Sequence, residues 1–386
     1  MGRKKKYDSR LFCVTIFLVA LGLIMVTSAS LIMAQEQFSS PFFFLHRHAV
    51  RVALGLLVLL LFSWIPYRVY QRVAIPMLTV SIILLIAIFL WGREVRGANR
   101  WLPMFNIVIQ PVEIAKFSLL IFMSAKIAQW KERVKDFKSG FVPLMSAPII
   151  IALLLAKQPN ISNAIFVILF SFVMLFVGGC RLRHLSAFAL SVFAAAVPFL
   201  YKMPHIQDRW STFLNPGADP QGVGWHMEQS LIAFGSGFIL GCGPGRGHQK
   251  YSFLPDAHTD FIYSIIGEEL GALGAIAVLI LFFFIFRRAI HIARKSSHPF
   301  GYLLAVGIGT MIFTTAMINI SMTLGIIPVA GLPLPLISYG GSSLVTSMAA
   351  IGILLNISSG GMGKAVTSKR LARSKTSRPL YAKAVR

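Results

Sequence analysis

About ten stretches of this chain are long and apolar enough to cross a lipid bilayer, and they follow one another along nearly its whole length. A hydrocarbon core about 30 Å thick needs roughly 17 to 25 apolar residues in helical form. Helix is the expected form because lipid offers no hydrogen-bond partners, so each segment must satisfy its own backbone. The spans fall at residues 11–34, 49–66, 73–91, 108–125, 143–157, 161–178, 185–201, 261–286, 301–321 and 340–359. With 56% hydrophobic and 13% charged residues, the chain has little left over for a soluble module. The expected fold class is an all-α integral membrane protein of about ten transmembrane helices. One polytopic unit, 11–359, stands between tails at 1–10 and 360–386, with a large extracytoplasmic loop, 202–260, between spans seven and eight.

The distribution of charge sets the orientation, because loops rich in Lys and Arg stay on the cytoplasmic side of a membrane. The two tails and the alternate loops 67–72, 126–138, 181–183 and 287–295 hold 26 of the 37 basic residues and only three acids, Asp8, Glu132 and Asp136. The other face keeps the remaining acidic residues. Both termini are therefore expected in the cytoplasm, in a multi-pass protein of the cytoplasmic (inner) membrane. A net charge of +24 spread in this way is what membrane topology demands, so it gives no support to nucleic-acid binding. The tail from Lys364 to Arg386 reads as an anchor against anionic membrane lipid. The first residues have the basic start of a signal peptide, but the apolar run behind them exceeds the roughly 7 to 15 residues of such a leader, so it reads as an uncleaved span. Cys13, Cys180 and Cys242 lie far apart without metal or redox spacing, which argues against a disulfide framework and against thiol chemistry.

Two outer loops are unusual. Residues 202–260 are too many for a simple connection, and Trp210, Phe213, Trp225, Ile232 and Phe234 argue for order within them. From Trp225 to Leu240 the apolar residues recur as in a helix lying on or dipping into the membrane interface. The Gly241-Cys242-Gly243-Pro244-Gly245-Arg246-Gly247 run after it breaks the helix and sets Arg246 and Lys250 beside a turn able to approach a phosphate. With no strand before it and no Lys-Ser/Thr after it, the run is not a nucleotide P-loop. The second loop, Pro328 to Ser343, is uncharged and rich in Pro and Gly. Irregular backbone at membrane depth persists only against protein or a water-filled cavity, so this loop reads as re-entrant or cavity-lining, or else as a tight apolar turn. Ser338 and Ser342 are its candidate polar contacts.

The remaining polar residues gather at the same face. Glu113 and Lys116 share one side of a helix by their i, i+3 spacing, as an internal salt bridge or as groups turned to a cavity. Arg93, Arg96 and Arg100 precede them, a cluster suited to bidentate contact with an anion. Asp260 closes the long loop beside His258 and Thr259, with Glu268 and Glu269 about two turns further on. A carboxylate shielded by membrane and neighbouring acids has a raised pKa, which suits a general base. Thr259 also fits an ordinary helix cap, and His258 a structural hydrogen bond. These residues imply an outward-facing cavity with both charges and leave its substrate open.

Several stretches together resemble the SEDS family of cell-wall polymerases, which includes bacterial rod-shape and division proteins. They are Asn99-Arg100-Trp101, Gln110-Pro111-Val112-Glu113-Ile114-Ala115-Lys116, Phe213-Leu214-Asn215-Pro216 with Asp219-Pro220, Gln229 to Gly237, Gln249-Lys250, Leu254 to Gly271, and Gly331 to Ser343. The string Ile265 to Gly271 is closer to the division branch than to the elongation branch. The resemblance implies a glycosyltransferase that polymerises lipid II, an undecaprenyl-pyrophosphate-linked disaccharide-pentapeptide, at the outer face of the membrane. It also implies a class B penicillin-binding protein transpeptidase and other divisome proteins as partners. By motif position Asp260 is the family's presumed catalytic aspartate, and Arg100, Lys116, Arg246 and Lys250 are candidates for the pyrophosphate. A divalent cation, magnesium or manganese, could share that task, although no ligand set is legible. Two positions depart from the family pattern: Asn160 stands where an Asp is common, and Asp256 where a Glu is usual. A lipid II flippase would use the same lipid cavity, but the acids gather at the outer face and no inverted repeat is visible, which favours the enzyme.

Overall fold

The structure, a computed structural model, describes residues 7–95, 98–104, 107–201, 204–214, 223–251 and 254–360. The basic tail from Lys364, the first six residues, Arg96, the Asn215-Pro216 pair and Asp219-Pro220 lie outside the described residues.

Helices occupy all ten expected segments. In chain order they are α1 (Ser9–Phe38), α2 (Phe43–Trp64), α3 (Arg68–Trp91), α4 (Pro111–Trp130), α5 (Val142–Lys157), α6 (Ile161–Val177), α7 (Leu182–Tyr201), α8 (Pro204–Leu214), α9 (Val223–Gly237), α10 (Ile262–Lys295), α11 (Pro299–Thr323) and α12 (Gly341–Ser358). Seven are long and apolar enough to cross a membrane: α1, α2, α3, α5 with the turn before it, α10, α11 and α12. α6 and the apolar part of α7 are shorter, while α4 is interrupted by Glu113, Lys116 and Lys126. α8 and α9 lie inside the long loop 202–260, and α9 coincides with the helix expected from Trp225 onward.

The centre of the bundle is set by burial. In their most apolar stretches α11 is 78% and α12 72% buried, against 28% for α2 and 33% for α3. These two and α4, buried along most of its length, are thus walled by protein, whereas helices such as α2, α3 and α7 present large side chains such as Leu57, Ile83, Leu90 and Phe193 outward, as a lipid-facing rim does. Close approach at the centre depends on small residues, as expected where hydrophobicity gives helices no drive to associate. A Cβ on Gly55 of α2 would stand 2.2 Å from Met348 Sδ of α12, and one on Gly352 would stand 2.4 Å from Leu59 O. Asn356, fully buried on α12, donates to Ser63 O (2.8 Å) and accepts from Tyr67 N (2.9 Å), which satisfies the tight α2–α3 connection.

One region departs from the all-α expectation. The segment after α3, read only as an arginine cluster, forms an antiparallel sheet of β1 (Arg93–Val95), β2 (Ala98–Met104) and β3 (Ile107–Ile109), with Leu102 opposite Ile109. Three short strands pair their own backbone where the chain lacks the length for a helix. The sheet turns Arg100 toward the rest of that face.

α10 is not regular. At Gly271 (φ 69°, ψ −173°) the helical ladder breaks. The freed amides of Ala272 and Leu273 donate to Phe238 O (2.9 Å) and Ile239 O (3.2 Å) in the turn after α9. In exchange, Cys242 N and Gly243 N donate to Glu268 O (3.0 Å) and Glu269 O (3.1 Å). Backbone groups exposed by the break are therefore satisfied by a loop that the break itself holds. Glycine is required: a Cβ at position 271 would lie 2.4 Å from both Gly241 N and Ile239 O.

Candidate functional site

Asp260 sits just before the start of α10, on a turn that begins with Asp256 in left-handed conformation (φ 57°). Asp256 O accepts from Thr259 N (3.0 Å), Phe261 N (3.3 Å) and Thr259 Oγ1 (3.2 Å), so Thr259 closes this turn. Asn319, fully buried on α11, donates through Nδ2 to Asp260 O and to Leu332 O, both at 2.7 Å. One amide thus clamps the backbone of Asp260 to the uncharged segment 324–340. That segment passes close to the carboxylate, since a Cβ on Gly331 would lie 3.7 Å from Asp260 Oδ2.

Two guanidiniums reach the same place from other elements. Arg209, on α8, donates from Nη1 to Val329 O (3.1 Å), and Arg100, on β2, donates to Pro159 O. Burial pushes the pKa of both down; Arg209 lowers Arg100 further, and Asp260 raises both. By reciprocity the two cations favour the ionised form of Asp260, which acts against the rise in pKa expected from shielding alone. Asp260 lies in the field of two arginines delivered by two loops.

Glu268 and Glu269 are buried and occupied by the glycine-rich loop. Glu268 Oε1 accepts from His248 N (2.6 Å) and Gln249 N (3.2 Å), while Glu269 accepts from Ser28 Oγ (2.6 Å) and Gly245 N (2.9 Å). Lys250 is buried, 3.4 Å from Glu269 Oε1 and bonded to Gly245 O. Arg246 is exposed, on the same solvent-facing stretch as Pro244 and Gly245. The backbone amides that could have met a phosphate are turned onto carboxylates of the chain itself. Burial and these two carboxylates also push the Cys242 thiol up, away from the reactive thiolate.

A third group lies inside the bundle. Lys116 Nζ and Glu113 Oε1 are 2.6 Å apart and nearly inaccessible, and Lys116 also stands 5.2 Å from the centre of the Phe166 ring. Beside them is a cavity of about 10 Å³, the scale of a single water, also lined by Thr315, Ser343, Thr346 and Ser347. Ser342 Oγ accepts from Gln110 N (3.0 Å), which ties the start of α12 to the start of α4. Ser338 Oγ accepts from Leu334 N (2.8 Å) and so fixes the turn of the 324–340 segment. His258 packs between Phe44 (4.8 Å between ring centres) and Tyr339 (5.4 Å), and its carbonyl accepts from Tyr339 N (3.0 Å).

Of the residues singled out in the sequence, Asp260 and Arg100 come together. His258, Thr259, Ser338 and Ser342 build the surrounding backbone. Glu113 and Lys116 pair below it, and Glu268 and Lys250 lock the loop beside α10. Asn160, in the position where the family pattern favours Asp, is buried and accepts from Asn163 Nδ2 (2.9 Å) within the loop whose Pro159 carbonyl receives Arg100. Arg209 and Asn319 were not singled out. Arg209 is one of only four Lys or Arg residues in 202–260, and Asn319 is an amide inside an apolar span, where a polar group must find a partner; those were the available signals. Among the described residues no group of three or more His, Cys, Asp or Glu is placed to hold a metal ion.

The comparisons with known proteins agree with one another. A family model described as "Cell cycle protein", FTSW_RODA_SPOVE, matches residues 8–361. A probable peptidoglycan glycosyltransferase FtsW from Trichlorobacter lovleyi is 40% identical over 366 residues, covering 93% of this chain and 94% of that one. The probable peptidoglycan glycosyltransferase FtsW of Escherichia coli O6:H1 is 38% identical over 367 residues, covering 92% and 89%. Among solved structures, a chain from work on the structural coordination of polymerization and crosslinking by a peptidoglycan synthase complex superposes with a TM-score of 0.75 at 28% identity, over 91% of this chain and 97% of that one. The rod shape determining protein RodA of Thermus thermophilus gives a TM-score of 0.67 at 27% identity, over 91% and 96%.

Proposed function

Since the chain belongs to the FtsW/RodA/SpoVE family of cell cycle proteins, we propose that it works as a peptidoglycan glycosyltransferase of the FtsW kind, making septal wall during cell division. It is a multi-pass membrane protein. The topology that accompanies this reading has ten spanning helices, α1–α7 and α10–α12, in the inner membrane, with both termini cytoplasmic and α8, α9 and the sheet outside. Its substrate is lipid II. Its partners are a class B penicillin-binding protein and other divisome proteins, in keeping with the synthase complex in which a structural neighbour occurs.

The observation that carries the reading is a carboxylate set among cations beneath an uncharged wall: Asp260 with Arg100 and Arg209 beside the segment 324–340. Asp260 takes the proton from the 4-hydroxyl of the acceptor sugar. That oxygen forms its bond to the anomeric carbon of the donor, and the bond from this carbon to the lipid pyrophosphate breaks, the electron pair leaving with the phosphate. One base is enough for such an inverting displacement. Arg100, Arg209 and the exposed Arg246 receive the developing negative charge, which fixed cations stabilise best away from water. As the arginines turn to pyrophosphate they release their hold on Asp260, so substrate binding itself makes the carboxylate a stronger base. Lys116 and Glu113 hold the α4 wall of the site, and Glu268 and Lys250 hold Arg246 in place.

Purified protein given lipid II in detergent, with and without a class B transpeptidase, is expected to yield glycan polymer, and its Asp260→Ala variant none. Polymer from the folded variant would remove Asp260 as the base. Movement of lipid II across liposomes without any polymer would replace polymerisation by transport.

A further inference from the structure

A cavity lies at the other end of the bundle from Asp260. It measures about 370 Å³ and is lined by Tyr7, Arg10, Arg288, His291, Lys295 and Ser358 among others. Three helix ends meet there, and they are pinned. Asp8 caps α1 by accepting from Leu11 N (3.1 Å), accepts from Arg288 Nε of α10 (3.1 Å), and donates its own amide to Ser358 Oγ of α12 (3.1 Å). Both oxygens of Asp8 are thereby used. Among the described residues neither Arg10 nor Lys295 has a carboxylate partner, so the cavity carries surplus positive charge. Arg3, Lys4, Lys5 and Lys6 precede it in sequence.

Geometry places this cavity at headgroup depth. α10 begins just after Asp260, and its regular part beyond the break at Gly271, residues 272–295, alone extends on the order of 35 Å, more than a hydrocarbon core of about 30 Å. Its last turns, which carry His291 and Lys295, therefore emerge among polar headgroups. The two helices that flank the cavity expose apolar side chains along their length: Phe12 and Phe17 on α1, Ile280 and Phe283 on α10. Cations at one end and an apolar wall leading away from them match an amphiphile with an anionic head.

The geometry points to a specific site for the phosphate of an anionic phospholipid of the inner leaflet, held by Arg10 and Lys295. The site is separate from the glycosyl-transfer centre and does not depend on the function proposed for it. A free phosphate ion has the same chemistry without the chains, so the experiment must separate the two.

The test is native mass spectrometry of the full chain in detergent, titrated with phosphatidylglycerol, with phosphatidylcholine, and with phosphatidylglycerol in the presence of millimolar inorganic phosphate. One phosphatidylglycerol should bind with saturation, in preference to phosphatidylcholine, and persist against inorganic phosphate. The Arg10→Gln/Lys295→Gln double variant should bind it about tenfold more weakly or worse. A Lys138→Gln/Arg183→Gln variant, of equal net charge and altered at exposed positions away from the cavity, should bind as the natural protein does. All these side chains are exposed, and a thermal melt of each variant checks the fold. Equal binding of the two lipids, unchanged binding in the cavity variant, or equal weakening in both variants would overturn the site. Full displacement by inorganic phosphate would overturn the lipid assignment.

Discussion

At the scale of single residues, Asp260 and Arg209 are the informative pair. Arg209→Ala should lower the rate of glycan polymerisation about a hundredfold, the scale of losing one fixed group that stabilises developing charge, with the melting temperature nearly unchanged. It should also move the pH profile in a defined direction. A base works deprotonated, so activity falls as pH drops through its pKa. In the free enzyme Arg209 favours the ionised carboxylate and holds that limb at low pH, so its removal shifts the acidic limb upward, read as kcat/KM against pH for the two proteins. Arg209→Lys should keep the position of the limb and restore only part of the rate, because an ammonium replaces the charge but not the planar fork. Lys116 has a different signature. Truncation to Ala leaves the buried Glu113 charge unpaired at a cost of about 3 to 5 kcal/mol, visible as a lower melting temperature in detergent. The Glu113→Gln/Lys116→Met variant should recover most of that stability.

Among elements, α10 with the loop before it is the most telling. Gly271→Ala places a Cβ against two backbone atoms in a left-handed conformation, so it should unseat the 238–243 turn as well as bend the helix. Limited proteolysis should then cut within 241–250, where the natural protein resists. Glu268→Gln should do the same more mildly, since a neutral acceptor replaces a charged one for the His248 and Gln249 amides. This element also marks the limit of what could be read in advance. Apolar runs located the helices α1 to α7 and α10 to α12, seven of which have the length a bilayer demands, and the glycines at 241–247 announced a break. The use of the two glutamates was hidden. Carboxylates near a membrane surface look alike whether they face a ligand or a neighbouring amide, and only the kink at Gly271 brings the amides to them. The small sheet was hidden for a similar reason: runs of three paired residues carry almost no periodicity.

On the scale of the molecule, the orientation of the bundle can be tested directly. Green fluorescent protein fused after Arg386 should fluoresce, and alkaline phosphatase inserted between Asn215 and Gln221 should be active; the reverse pattern would turn the bundle over. Contacts made at this scale were the least legible. Arg209 and Asp260 belong to different elements, and nothing in the spacing of either betrays the other; Asn319 advertised a partner but not which one. The segment beside Asp260 bears on what happens after a bond is made. The wall beside Asp260, from Leu324 to Gly340, carries no charge, only Pro, Gly and aliphatic side chains with Ser338 and Tyr339. A growing polysaccharide that slides along such a wall breaks no ionic contact as it advances by one repeat. Grip would then be left to the cations around the pyrophosphate, and a neutral segment of this kind is what a polymerase needs if its product is to advance for many cycles without dissociating.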